Sequence, residues 1–316
     1  MSKVLITDRI KDPKIEKDIL GDNLTNKISN DIEVLLVWHK IIDSKYLDNF
    51  PNLKLIIRYG VGYDKIDLLE CKKRNITVCN NPDYCSEEVS STAVAMILNT
   101  ARNITKYDFD ARNYSHGWQE NVNKKLLRNS EQTIGFIGVG RIGSITLQQC
   151  KNLRFNTSFF DPYVSCGYEK ILDSERKDNL NHLLSKSDIV SVHCPLNEDT
   201  KDLIDENFIS NMKKGSSLVN TARGGLLKDL DIIEDALKSG HLNMVSLDVL
   251  PSEPPAEHRL IKAWKNGDEW LSGRLIINPH ASYYSIQSSN EQRPNVAKNA
   301  LRFIEGLRPQ NIVSEL

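Results

Sequence analysis

Three polar residues in the second half of the sequence each follow an apolar run. Arg223 comes after Leu218-Val219-Asn220 and just before Gly224-Gly225. Glu253 lies beyond Leu247-Asp248-Val249-Leu250, in a loop stiffened by Pro251, Pro254 and Pro255. His280 follows Ile276-Ile277-Asn278-Pro279. If the runs are strands, all three stand at the edge where α/β sheets bind ligands. Their types suit hydride addition to a ketone, which puts negative charge on oxygen. An imidazolium can protonate that oxygen and take the proton back in reverse. A glutamate keeps the imidazole charged and oriented. A guanidinium offers a planar fork to a carboxylate or carbonyl oxygen. Against this stand the bland alternatives: a surface arginine near a helix start, a solvated loop glutamate and a packed histidine.

A second constellation supplies a hydride source. Gly138-Val139-Gly140-Arg141-Ile142-Gly143 follows the apolar run Thr133 to Ile137 and precedes a stretch, Ile145 to Leu153, that suits a helix. Asp161 ends the next apolar run, 18 residues past Gly143. Strand, glycine turn, helix, strand and acid form the dinucleotide-binding pattern, with the pyrophosphate on the helix N-terminus. A carboxylate at Asp161 accepts the adenosine ribose hydroxyls and repels a 2′-phosphate, so the expected cofactor is NAD. The competing role for Asp161 is a cap before Pro162.

The elements that hold these groups are read from alternation. Val4–Thr7, Val34–Trp38, Leu53–Ile57 and Ile76–Cys79 read as strands, separated by short helical stretches such as Asp43–Phe50 and Asp67–Arg74. This rhythm predicts a parallel sheet with crossover helices. It breaks at Ser86, where a long helix or helix pair is expected to run to Gly117-Trp118. It then restarts with six strands: Ile134–Ile137, Thr157–Phe160, Ile189–His193, Ser217–Asn220, Met244–Val249 and Leu275–Asn278. A last helix is expected over about Ser288 to Leu307. The fold class is therefore α/β, with two doubly wound parallel-sheet domains. The pattern alone leaves open whether they stand in tandem or one is inserted in the other.

Composition narrows the function classes. The 316 residues suffice for two domains, and a formal net charge of −1 gives no case for nucleic acid or an anionic membrane surface. No run approaches a membrane span. The N-terminus reads as a first strand rather than a leader, and a cytoplasmic protein is expected. Six scattered cysteines without a CxxC pair predict free, buried or half-buried thiols, with no zinc site or disulfide framework and no metal.

With these residues in view, the chain resembles the D-isomer-specific 2-hydroxyacid dehydrogenase family, from about Leu53 onward. The resemblance is carried by the stretch Arg58 to Asp67, the glycine loop, Asn220 to Gly225 and Asn278 to Ala281. It implies His280 as acid/base, Glu253 as its partner and Arg223 on the substrate. It further implies Arg58 and the amides of Val61 and Gly62 on the substrate's carboxylate end. Asp248 would stand near the nicotinamide, and Arg141, Ile142, Cys194, Pro195, Thr200 and Thr221 would contact the cofactor. The family fold implies an inserted NAD-binding Rossmann domain (103–282) within a substrate-binding domain (1–102 and 283–316). Its active site would lie between the two. A homodimer through Ser86 to Trp118 is also implied, with a small 2-keto or 2-hydroxy acid as substrate.

Some positions depart from the family pattern. Lys65 stands where asparagine is usual, and Ala93 where many members carry a threonine, for which Ser90, Ser91 or Thr92 could substitute. Asp161-Pro162-Tyr163 and the run His280 to Ser285 lean toward the C-terminal-binding-protein branch. An NAD(H)-sensing binding protein is thus one alternative. A phosphoglycerate dehydrogenase without its C-terminal regulatory domain is another, with Lys72-Lys73-Arg74 either meeting a phosphate or forming a solvated helix end. The proline-flanked segment Pro251 to Gly273 carries Trp264 and Trp270, read as packing residues ahead of substrate contacts.

Overall fold

The computed structural model describes residues 3–112, 118–119 and 126–314. The chain divides into two compact units, one formed by residues 1–85 and 284–316 and the other by 86–283.

The first unit carries five parallel strands, β1 (Lys3–Ile6), β2 (Leu24–Thr25), β3 (Ile32–Val37), β4 (Leu55–Arg58) and β5 (Thr77–Cys79), in the order β2-β1-β3-β4-β5. Alternate residues of one strand enter different core layers, as the period of two requires. Leu35, Val37 and Ile56 face one layer with Phe50 and Cys71. Val34, Leu36, Leu55 and Ile57 face the other, which Val296, Ala297 and Ala300 complete. Those last three belong to the helix Ile286–Ile304, so the end of the chain is part of the first unit's core. An ion pair reinforces the return: Arg293 Nε donates to Oε1 of the fully buried Glu16 at 2.8 Å, and Tyr59 Oη donates to the same oxygen at 2.9 Å. A carboxylate taken out of water needs such partners.

The second unit carries seven parallel strands, β6 (Thr133–Ile137), β7 (Asn156–Phe160), β8 (Glu175–Arg176), β9 (Ile189–Val192), β10 (Ser216–Asn220), β11 (Leu242–Leu247) and β12 (Leu275–Ile277). Their order is β12-β11-β10-β9-β6-β7-β8, so the winding reverses between β6 and β9. That is the doubly wound dinucleotide-binding order with its crevice at the switch point. The second unit is thus an insertion within a discontinuous first unit.

The second unit starts at Ser86, ahead of the 102/103 boundary read from sequence. The cause is packing. Met96, Ile97 and Ala101 of the 17-residue helix Ser86–Arg102 join one core with Ile134, Phe136, Val139 and Leu147. The break in strand rhythm resolves into this helix and a second, Ile104–Arg112. The expected end at Gly117-Trp118 falls partly outside the described residues, since Gly117 is not among them. The sequence reading missed β2 and β8, each of two residues at a sheet edge, too short to show alternation. All six cysteines are free; four are buried, Cys194 is half-buried and, unlike the expectation, Cys166 is exposed. Among the described residues no helix is long and apolar enough to cross a membrane.

Candidate active site

β6 delivers the chain into the glycine loop. Gly138 has φ +86°, and a Cβ there would stand 2.8 Å from the Cys194 amide nitrogen, so only glycine fits the turn. Gly143 is buried in the first turn of the helix Arg141–Asn152. A Cβ on Gly140 would meet no heavy atom within 4 Å, which leaves the backbone before the helix N-terminus open to a phosphate. Across the loop, Asp161 ends β7. Its Oδ2 accepts the Val139 amide at 2.9 Å and its Oδ1 the Tyr163 amide at 2.9 Å. The cap role and the ribose role are compatible, because an ionised carboxylate has acceptor sites for more than two donors. Thr221, at the carboxyl end of β10, is buried with its hydroxyl unpartnered. An open glycine turn, a fixed strand-end acid and an orphaned hydroxyl together fit a dinucleotide.

Other cofactor positions have local explanations as well. The Thr200 hydroxyl donates to the Pro195 carbonyl at 2.6 Å and accepts the Asn197 amide at 2.9 Å, closing the turn after β9. Burial, with the Asp161 charge, pushes the Cys194 thiol up to about 12, so it is a neutral packing group at physiological pH. Arg141 and Ile142 open the helix after the loop. Ala93 is fully buried, and the Ser90 and Ser91 hydroxyls turn to carbonyls of their own helix.

The proton-transfer candidates meet in the second unit. His280 Nδ1 lies 2.7 Å from Glu253 Oε2, while Glu253 Oε1 accepts the Leu250 amide at 3.0 Å. Burial works against the Glu253 charge. The bonds from His280 and Leu250, with the charges of His280 and Arg223, outweigh it and hold the carboxyl below its ordinary range. With Nδ1 turned to Glu253, Nε2 is the ring nitrogen left for a substrate. Both side chains remain partly open, His280 at 41% and Glu253 at 38%.

The loops beneath explain the meeting. The Asn220 carboxamide accepts the Ala222 amide at 3.0 Å and donates to the Arg223 carbonyl at 3.0 Å, fixing the turn that presents Arg223. A Cβ on Gly224 would be 1.8 Å from the Leu250 carbonyl oxygen, so this turn presses directly on the segment that leads to Glu253. His280 takes a left-handed backbone, φ +52°. Asp248, 2% exposed, stabilises that turn: its backbone carbonyl accepts the His280 amide at 2.8 Å and its Oδ1 accepts Ala281 and Ser282 at 3.1 and 3.2 Å. The family resemblance puts Asp248 near the nicotinamide; its observed partners are these amides. Sequence reading missed Asn220 as the organiser of the Arg223 turn, although an Asn at a strand end is a known turn former.

In the first unit, Arg58 ends β4 and its guanidinium folds back over Gly60, where a Cβ would be 3.1 Å from Nη1. Val61 and Gly62 follow, half-buried, with the Val61 carbonyl held by Asn80 Nδ2 at 2.7 Å. The basic trio is a helix end: Lys73 pairs with Glu70 at 3.2 Å, and Arg74 with Glu70 and Asp48 at 2.9 and 2.8 Å. Trp264 and Trp270 pack on the second unit's core.

One grouping was invisible in sequence. Asp231, Glu234 and His258 bring ligand atoms within 4.8 Å of one another. Their bonds are those of an ion-pair network. Arg259 bonds both carboxylates, at 2.8 and 2.7 Å, and Lys238 pairs with Glu234. His258 Nδ1 accepts the Leu260 amide at 3.1 Å, which leaves Nε2 to donate to Asp231.

Comparison with known proteins follows this geometry. A sequence model of the D-isomer specific 2-hydroxyacid dehydrogenase, NAD binding domain, matches residues 94–282. A glyoxylate reductase of Thermofilum pendens is 31% identical over 93% of this chain and 84% of its own. One from Korarchaeum cryptofilum is 30% identical over 99% of this chain and 86% of its own. Among solved structures, D-lactate dehydrogenase from Aquifex aeolicus, complexed with NAD and lactic acid, superimposes with a TM-score of 0.82 at 28% identity, over 99% of both chains.

Proposed function

The chain belongs to the D-isomer-specific 2-hydroxyacid dehydrogenase family, and from that premise we propose that it reduces a small 2-oxo acid to the 2-hydroxy acid with His280 as proton donor. It is an NAD-dependent oxidoreductase. The observation that carries the proton-donor assignment is the 2.7 Å bond between His280 Nδ1 and a Glu253 carboxyl held in its charged form.

When bound, NADH would supply the hydride for the keto carbon. As charge grows on the carbonyl oxygen, His280 Nε2 delivers a proton to it, and Glu253 stabilises the imidazolium before transfer. Arg223 faces the developing charge with a guanidinium that stays protonated throughout. Arg58, with the amides of Val61 and Gly62, takes the substrate carboxylate, so orientation contributes to the rate. In the oxidative direction His280 Nε2 accepts the hydroxyl proton. Gly138 to Gly143 would hold the pyrophosphate and Asp161 the adenosine ribose, and Thr221 would donate its spare hydroxyl to the cofactor. The test is NADH oxidation against glyoxylate, pyruvate, hydroxypyruvate and longer 2-oxo acids. Turnover by wild type and its loss in His280→Ala, with NADH binding retained, is the expected result. A cofactor sensor without turnover would bind NADH equally well in both and reduce none of them.

The same reading includes a homodimer formed through the helices Ser86–Arg102 and Ile104–Arg112. Ile104, 55% exposed at the start of the second of these helices, supports a face that a second copy covers. Sedimentation at micromolar concentration should give twice the 35.9 kDa chain mass, and a monomer would overturn it. Six free thiols support a reducing compartment such as the cytoplasm.

A further inference from the structure

The first unit holds a polar cavity of about 200 Å³ that the reaction above leaves unused. Three segments line it: Asn80 to Asp83 directly after β5, the helix Ile286–Ile304, and Gln310 with Asn311. The end of the chain returns to build that third wall. Ile312 pairs antiparallel with Cys79, the Asn80 amide donates to the Asn311 carbonyl at 3.1 Å, and the Val313 amide donates to the Val78 carbonyl at 2.8 Å. None of Arg58, Val61 and Gly62 lines the cavity. Its polar groups are unevenly matched. Arg302 donates through Nη2 to the Arg308 carbonyl at 3.2 Å, but its Nε is buried with no partner. A guanidinium N–H shut in without a bond costs free energy that a bound acceptor recovers. Lys298, one helical turn earlier, is exposed, and among the described residues no carboxylate pairs with either cation.

Both cations line the cavity with a single acid, Asp83. Asn295, Gln310 and Asn311 add side-chain amides that no group among the described residues occupies. Cations give an oxyanion charge-assisted bonds, and amides offer hydroxyls both donors and acceptors. A cleft filled only by water accounts for the exposed groups; the shut-in Nε beside a lysine is what an oxyanion would satisfy. The wall such a ligand touches also holds the turn after β4. Asn80 Nδ2 donates to the Val61 carbonyl at 2.7 Å. Asn81 donates to the Tyr59 carbonyl through Nδ2 at 3.3 Å and to the Gly60 carbonyl through its amide at 3.2 Å. Two cavity residues thus fix three successive carbonyls between Arg58 and Gly62. We propose that this cavity binds a small hydroxylated anion other than the substrate, bearing phosphate or carboxylate, and that its occupancy stiffens this turn and lowers KM for the 2-oxo acid. The binding rests on the first unit alone, and the effect on KM rests on the 2-oxo acid reading above.

The test is calorimetric titration of the NADH-loaded protein with glycerol 3-phosphate, 3-hydroxypropionate and glycerol. At least one anion should bind and glycerol should not, and the anion that binds tells phosphate from carboxylate. Lys298→Gln, at an exposed position, should weaken that binding by about tenfold, the scale of one charge-assisted bond. Arg302→Lys keeps the charge, removes Nε and should weaken it as well. Where Arg302→Lys fails to fold, Lys298→Gln decides alone. No binding of either anion, as a cavity holding only water would give, overturns the site, and so does binding that survives either substitution unchanged. In steady state the anion that binds should lower the wild-type KM for a reduced 2-oxo acid by about fivefold or more, with kcat little changed. Lys298→Gln should match wild type without the anion and lose the response to it. A wild-type KM that the bound anion leaves unmoved overturns the coupling. If no 2-oxo acid is reduced, the reading above fails separately, and the titration decides the site by itself.

Discussion

The edges of the two sheets each carry a histidine just past a strand, and the neighbours set the two rings apart. His280, beyond β12, turns Nδ1 to a carboxylate, Glu253, kept charged by the same contact. His39, beyond β3, turns Nε2 to a guanidinium, Arg9, with Arg58 and Lys65 also bearing on it. A carboxylate neighbour favours the imidazolium, and cationic neighbours favour the neutral ring. The first arrangement suits a proton carrier and the second a fixed acceptor that positions an arginine. Both units follow the rule that ligands meet the carboxyl ends of parallel strands, yet the rule says nothing of the task. Partners one hydrogen bond away decide that. The second unit's edge thus offers a histidine paired with a carboxylate, and the first unit's edge an arginine held on a tryptophan and a neutral histidine.

The strongest way to break this contrast is to remove each ring. His280→Ala should lower kcat for 2-oxo acid reduction by about 10²–10⁴-fold, the range of general acid–base catalysis. NADH affinity should change little, as read by fluorescence titration. A rate near wild type would mean that the proton comes from elsewhere. His39→Ala, with its ring outside the proton path, should leave a reaction that still requires His280.

Glu253→Gln sharpens the comparison by keeping the ring and altering its partner. A neutral amide cannot stabilise the imidazolium, and a loss of roughly ten- to hundredfold in kcat is expected. The pH dependence carries a sign. Glu253 is depressed in the folded protein, so what the charged pair contributes is complete above the ordinary glutamate range and lost only as pH falls through the lower folded value. Wild type should therefore hold the pair well into acid. In Glu253→Gln that acid-side dependence should disappear from the pH–rate profile. An unchanged pH–rate profile would show that Glu253 does not act through His280.

Much of the second unit's edge was legible in sequence. Apart from β8, its strands lie in apolar runs of three or more residues, its turn needs glycine, and Arg223, Glu253 and His280 each follow a run. What joins them was not. The approach of Gly224 to the Leu250 carbonyl, and the Asp248 carboxylate beneath the His280 turn, are contacts between distant segments that periodicity does not encode. The first unit's edge obeyed the same strand-end signal at Trp38-His39 and was passed over, because its partner Arg9 lies 30 residues earlier in the chain. A second boundary also escaped. The helix Ser86–Arg102 continues the chain of the first unit without a composition break, and only its buried face assigns it to the second.

A smaller effect is expected at the adenosine end. Asp161→Ala removes the repulsion of a 2′-phosphate and the ribose acceptor together, so NADH should weaken against NADPH by about tenfold, the worth of a charge-assisted bond. The ratio of the two dissociation constants is the measurement. The mutation also frees the Val139 and Tyr163 amides, which Asp161 holds at 2.9 Å. A loss shared equally by both cofactors would assign the residue to that loop alone.

The smallest effect tests why the two rings differ. Burial is the largest cause of the lowered His39 value of about 4, and Arg58, Arg9 and Lys65 follow in that order. Arg9→Gln removes one cation and leaves the burial, so the value should rise only part of the way toward the ordinary 6.5. The sign for stability follows. A ring that titrates lower folded than unfolded refuses a proton that the unfolded chain accepts, so His39 costs stability as pH falls from about 6.5 toward about 4. The variant should lose less over that window than wild type. Ring-proton resonances followed through a pH titration measure the shift directly. A His39 midpoint unmoved in Arg9→Gln would make burial the whole cause and reduce the first unit's edge to an arginine resting on a tryptophan.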